Sequence, residues 1–194
     1  MGIEKILEME EGPERTAGLA AWFQGLYREE RDKPVLVGGA ALELYTRGAY
    51  RTGDLDFIGH VPPDVEGMLR EAGFRPIGRH WVHPEGRLFI ELPSRAFDAP
   101  IRKDLIRLGD WVVLALSPED VLVDRLAAWK FWNVVADGVN AFLLWKDRGE
   151  NLDRDHLERR AHQEGVVDAL RSLRDLAARS PKIEEVEEWA RRDR

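Results

Sequence analysis

Residues 35–59 read VLVGGAALELYTRGAYRTGDLDFIG, and this stretch decides the fold. An apolar strand runs into a Gly-Gly turn, a short helix follows, and Asp54 and Asp56 stand one residue apart on a second strand framed by Leu55, Phe57 and Ile58. Alternate strand residues project to one face. The spacing therefore aims two carboxylates at one point and turns Leu55 and Phe57 the other way, an arrangement suited to a hard divalent cation. Gly38 and Gly39 lie between strand and helix, where the lack of a Cβ lets a phosphate reach backbone N–H groups and the positive end of the helix dipole. Phosphates and a metal are expected in one pocket. The plainer alternatives are a tight turn without a ligand and a polar loop pair that caps a neighbour.

The order Gly38-Gly39, helix, Asp54-Leu55-Asp56, with Arg51-Thr52-Gly53 leading into the first aspartate, resembles the nucleotidyltransferase superfamily, the polymerase-beta-like fold. Within it, the run looks like that of the small prokaryotic members associated with toxin–antitoxin pairs. The resemblance is carried by residues 35–59 of the 194. It implies an α+β protein with a mixed-sheet nucleotidyltransferase domain, and the change in composition at Ser117, after which every segment reads as helix, sets that domain at residues 1–116 and a helical domain at 117–194. It also implies transfer of an NMP from an NTP such as ATP, with Mg²⁺ or Mn²⁺, to a hydroxyl of a protein, an RNA end or a small molecule.

Phosphoryl transfer with two ions calls for a third carboxylate, and the superfamily often places it on a later strand. In RLFIELPS, Leu88, Ile90 and Leu92 share one face and leave Glu91 on the other. An acid in an apolar strand is costly to bury without a partner. Glu91 is the candidate, although Asp is commoner at that place; an edge-strand acid facing solvent is the alternative. Asp54, Asp56 and Glu91 are thus the expected catalytic and metal-binding set. Gly38, Gly39, Arg51 and Thr52 are the expected nucleotide contacts, joined by Arg125 from the first helix of the second domain. Arg47 and Lys130 are weaker candidates. Arg125 could instead form a salt bridge to Glu119, Asp120 or Asp124. The rival to catalysis is a non-catalytic module of the same fold, an antitoxin-like subunit or a nucleotide sensor.

Composition narrows the field. The chain is 44% hydrophobic and 34% charged, as in ordinary globular domains, and has no cysteine, so a metal must use oxygen or imidazole ligands. The net charge is −7 with no basic block, which argues against a grip on extended duplex nucleic acid. The N-terminus shows neither a basic leader nor a long apolar core, and no apolar run approaches a membrane span. Cytoplasmic residence is expected.

Outside the motif, Leu19, Trp22, Phe23 and Leu26 recur at helical spacing, with Thr16 as the expected cap and Pro34 as the stop. Pro62-Pro63 opens a helix that Gly73 closes. Residues 74–92 alternate around a turn at His83-Pro84-Glu85-Gly86, and a further strand covers 111–116. Ser117-Pro118-Glu119-Asp120 caps a helix whose apolar stripe runs from Val121 to Trp132. Gly138, Gly149, Gly165 and Pro181 divide the remainder into three or four helices, and 184–194 is charged enough to fray. His80 and His83 read as surface residues, and His156 and His162 as members of a solvated helix face.

Overall fold

The alternation in residues 54–58 becomes a strand near the middle of a sheet in the computed structural model, which describes residues 2–84, 88–94, 96 and 101–192. The chain divides into two compact units, Met1–Leu116 and Ser117–Arg194, where the sequence turns from mixed to wholly helical.

The first unit runs α1 (Ile3–Leu7), α2 (Pro13–Gly25), a short 3-10 turn, β1 (Val35–Val37), α3 (Gly38–Tyr45), β2 (Asp54–Ile58), α4 (Pro63–Glu71), β3 (Arg75–Ile77), β4 (His80–His83), β5 (Leu88–Ser94), β6 (Lys103–Leu108) and β7 (Trp111–Leu116). The strands form one seven-stranded sheet in the order β3-β4-β5-β2-β1-β7-β6. It is mixed: β1 is antiparallel to β2 and parallel to β7, while β2 is parallel to β5. The protein is α+β.

One face of the sheet carries Leu36, Leu55, Phe57 and Ile90, all buried. Phe23 of α2 lies 4.8 Å, centroid to centroid, from Phe57, and Trp22 stacks on Phe74. The buried amide of Gln24 ties α2 to the sheet: its Nε2 donates to Pro34 O and Leu114 O, and its Oε1 accepts from Leu114 N. A buried amide survives there because its polar atoms are matched.

Several expectations need correction. Gly12 and Pro13 open α2, because proline at the first helical position loses no useful N–H. Thr16 therefore lies inside the helix and is not its cap, and the helix ends at Gly25, well before Pro34. Residues 74–92 give three strands, since Gly78 at φ +62° makes an extra turn between β3 and β4. Glu85 and Gly86 of the expected turn lie outside the described residues.

The second unit contains α5 (Pro118–Trp132), α6 (Val135–Arg148), α7 (Arg154–Gln163), α8 (Val167–Ala177) and α9 (Ile183–Arg192). Ser117 caps α5 by accepting from Asp120 N. The buried stripe of α5 ends at Trp129, for Trp132 is 74% exposed. Gly138 lies within α6 and breaks nothing; a Cβ there would sit 3.0 Å from the Trp129 ring, so its smallness is a packing requirement. The segment expected to fray is α9. Trp129 Nε1 donates to Ala190 O, its ring lies 4.2 Å from that of Trp189, and Val186 and Ala190 are buried. Among the described residues no helix is long and apolar enough to cross a membrane.

Candidate functional site

The sheet register brings the three acids to one face. Asp56 pairs with Val37 on one side and Glu91 on the other, and Glu91 pairs in turn with His80. Asp54 pairs with Phe89. Neighbouring strands lie about 4.8 Å apart, so Asp56 and Glu91 are adjacent on the face opposite Phe57 and Ile90. Asp54 is exposed, and Asp56 and Glu91 are half-buried.

The Gly-Gly turn meets this row directly. Gly38 has φ +62°, a left-handed conformation that disfavours any side chain, and a Cβ there would stand 2.6 Å from Asp56 Oδ2. Glycine is thus needed at position 38 for its backbone and for the carboxylate pressed against it. Gly39, the second residue of α3, lies beneath the loop 46–53: a Cβ there would lie 3.2 Å from both Thr52 Oγ1 and Tyr50 Oη. The first amides of a helix have no carbonyl partner within it.

Glu91 is not held ready for a metal. Arg79 Nε lies 2.5 Å from its Oε1, and His80 Nδ1 lies 3.6 Å from its Oε2. Among the described residues no three histidines or acids are gathered closely enough to hold an ion. Asp54 and Asp56, with the cradle at Gly38, fit one hard cation; the full three-carboxylate site does not fit while Arg79 holds Glu91.

Thr52 is committed locally. Its N–H donates to Glu43 Oε2 at 3.3 Å, and its Oγ1 accepts from Asp54 N at 3.4 Å. Arg51 is exposed. Glu43 itself is only 1% exposed and also accepts from Thr16 Oγ1 at 3.2 Å. Burial raises its pKa above the ordinary value, against the opposing pull of Thr52, Thr16 and the Arg51 charge. A cavity of about 120 Å³ adjoins it, lined among others by Arg15, Thr16, Arg51, Thr52 and Asp54.

In the second unit, Arg125 donates to Asp137 Oδ1 at 2.7 Å and to Asp124 Oδ2 at 2.5 Å. Two carboxylates of its own unit thus surround the guanidinium. Lys130 is similarly engaged with Asp168 and Gly165 O.

Sequence reasoning passed over several residues near these sites. Glu43 was visible as an acid among the apolar residues of GGAALELY. Phe89, 40% exposed beside Asp54, and Arg79 have no such signal. Two histidine expectations are corrected: His83 is buried edge-on against Phe74, and His156 Nε2 lies 2.8 Å from the buried Asp120, which also accepts from Arg160 Nε at 2.6 Å.

Compared with known proteins, the chain matches no family model, no curated protein and no solved structure.

Proposed function

We propose that this protein is a metal-dependent nucleotidyltransferase that moves an NMP from an NTP to a hydroxyl of a protein, an RNA end or a small molecule. The observation that carries this reading is the Gly38 turn pressed against Asp56 in a row with Glu91, beside Asp54 on the same face. Asp54 and Asp56 hold the cation, Mg²⁺ or Mn²⁺. When bound, such an ion offsets the triphosphate charge and acidifies the attacking hydroxyl. The first amides of α3, at Gly38 and Gly39, receive phosphate oxygens, and the exposed Arg51 adds charge at the same end of β2. The acceptor oxygen bonds to the α-phosphorus, the bond to the pyrophosphate oxygen breaks, and the hydroxyl proton passes to a carboxylate of the acid row. Glu91, already in that row, offers its carboxylate when its pair with Arg79 opens. An NTP substrate fits a cytoplasmic setting.

The Arg79–Glu91 pair also favours a second reading, in which the fold binds a nucleotide, or a partner protein of a toxin–antitoxin pair, without transfer. Pyrophosphate release measured with each NTP and Mg²⁺ or Mn²⁺ separates the two. Release that depends on Asp56 supports transfer; NTP binding without release supports a sensor; binding of neither supports the partner module.

A further inference from the structure

We infer that Glu43 is a positioning residue that sets Asp54 and the Gly38–Gly39 turn in one register. Three separate pieces of chain meet at its carboxylate. Glu43 belongs to α3, the helix that begins with the two glycines; Thr16 donates to it from α2; and Thr52 N donates to it from the loop that runs into β2. The link continues one step further, because Thr52 Oγ1 accepts from Asp54 N. The helix carrying the phosphate-binding end and the strand carrying the acids are therefore joined through one side chain as well as through the sheet.

The choice of residue is informative. An acid that is 1% exposed costs stability that an apolar side chain at the same helical position would not cost. Among the described residues the neighbours are not arranged as a compensating ion pair: Arg51 acts on Glu43 only through space, and the direct partners are a hydroxyl and an amide. What the carboxylate supplies is an acceptor long enough to reach Thr52 N from the second turn of α3 while holding Thr16. The adjoining cavity leaves room beside it, so packing alone does not pin the loop. Thr46 Oγ1 ties the start of the loop to Leu42 O and Glu43 O, at 2.8 and 3.4 Å, so what Glu43 adds is the tie at the far end: without that acceptor Thr52, two residues before Asp54, loses its bond to the Glu43 side chain.

The catalytic arm of this inference rests on the nucleotidyltransferase reading, so the test has an arm that does not. In the full chain, amide hydrogen exchange at Thr52 is compared with that of Val113, a buried control on β7, in the wild type, Glu43→Gln and Glu43→Ala. Glutamine keeps an acceptor for Thr52 N and a polar partner for Thr16. Glu43→Ala is expected to speed exchange at Thr52 about tenfold or more relative to Val113, and Glu43→Gln to restore it. In pyrophosphate release, Glu43→Ala should lower kcat about tenfold or more while KM for NTP moves less than about threefold, again with rescue by glutamine. Thr16→Val, which leaves the acid in place and removes one donor, gives a smaller change in the same direction if the alanine variant does not fold. Unchanged exchange at Thr52 in Glu43→Ala, or in Thr16→Val where it takes the alanine variant's place, overturns the inference, as does a well-folded Glu43→Gln that behaves like alanine. Absence of release in the wild type overturns the transfer reading alone, and the exchange arm then decides the role of Glu43.

Discussion

Replacing Gly38 by alanine places a methyl group where the structure leaves 2.6 Å to Asp56 Oδ2. Two costs combine. Holding a non-glycine residue at φ +62° costs about 1–2 kcal/mol, and clearing the contact forces the Asp56 side chain or its strand to shift at about 1–3 kcal/mol. Gly38→Ala is therefore expected to lose about 2–5 kcal/mol of stability in urea unfolding followed by tryptophan fluorescence. Gly39→Ala is the matched control. Its φ is ordinary, its near neighbours are the ends of the Thr52 and Tyr50 side chains, and alanine favours the helix by up to about 1 kcal/mol, so the net change should stay within about 1 kcal/mol. A double-mutant cycle isolates the contact. In an Asp56→Ala background the methyl group has room, only the backbone cost remains, and a coupling of about 1–3 kcal/mol should appear. Equal effects of Gly38→Ala and Gly39→Ala, or strict additivity in the cycle, would refute the claim that Gly38 and Asp56 form one unit.

Asp56→Asn should abolish NTP-dependent pyrophosphate release without lowering the Tm in metal-free buffer, since it removes a ligand charge at constant volume; retained release with a large fall in Tm would make Asp56 structural. Glu43→Gln should show a pH-dependent gain in stability. The raised pKa of Glu43 means that folding favours its protonated form, so that contribution is fully present below the ordinary value of 4.5 and is lost as pH rises through the raised folded value. Glutamine should thus melt higher than the wild type at pH 8 and converge with it in acid, and a Tm difference independent of pH would contradict the assignment. Asp120→Ala removes one of the partners of Arg160, which keeps Gln163 and Glu164, together with the partner of His156 and an acceptor for Ser117, and should cost the helical unit about 1–3 kcal/mol in a chemical melt; a loss below about 0.5 kcal/mol would show that the cluster is not coupled.

The parts of the molecule that were legible in the sequence are those where backbone geometry and residue type coincide. Gly38 marks a left-handed turn, Pro63 and Gly73 bracket α4, and Ser117 caps α5; each residue does at its position what its own chemistry favours. Strand β6 was missed because it lies at the sheet edge and buries only Ile106, so KDLIRL carries no apolar alternation. The polar centres were missed for a different reason. Asp120 reads as an ordinary first-turn acid, and only the return of α7 reveals that Arg160 and His156 converge on it. Glu91 and Arg79 are distant in type and close in sequence, but their pairing depends on the Gly78 turn, which the broad alternation of 74–92 conceals. Arg125 was placed correctly on its helix, while the tie to Asp137 crosses from α5 to α6 and no local pattern announces it.

The sheet order has a consequence for how the first unit is made. Strand β1 sits between β2, which follows it closely, and β7, which is synthesised some seventy-five residues later. Until residues 111–116 emerge, the growing chain presents Val35–Val37 as an open margin, an apolar ribbon with unused donors and acceptors on one side. Gln24 waits in the same way, since two of its three bonds are to Leu114. The late-arriving hairpin of β6 and β7 is what closes the seam, so the pairing that completes the sheet beside β1 is its most distant in sequence.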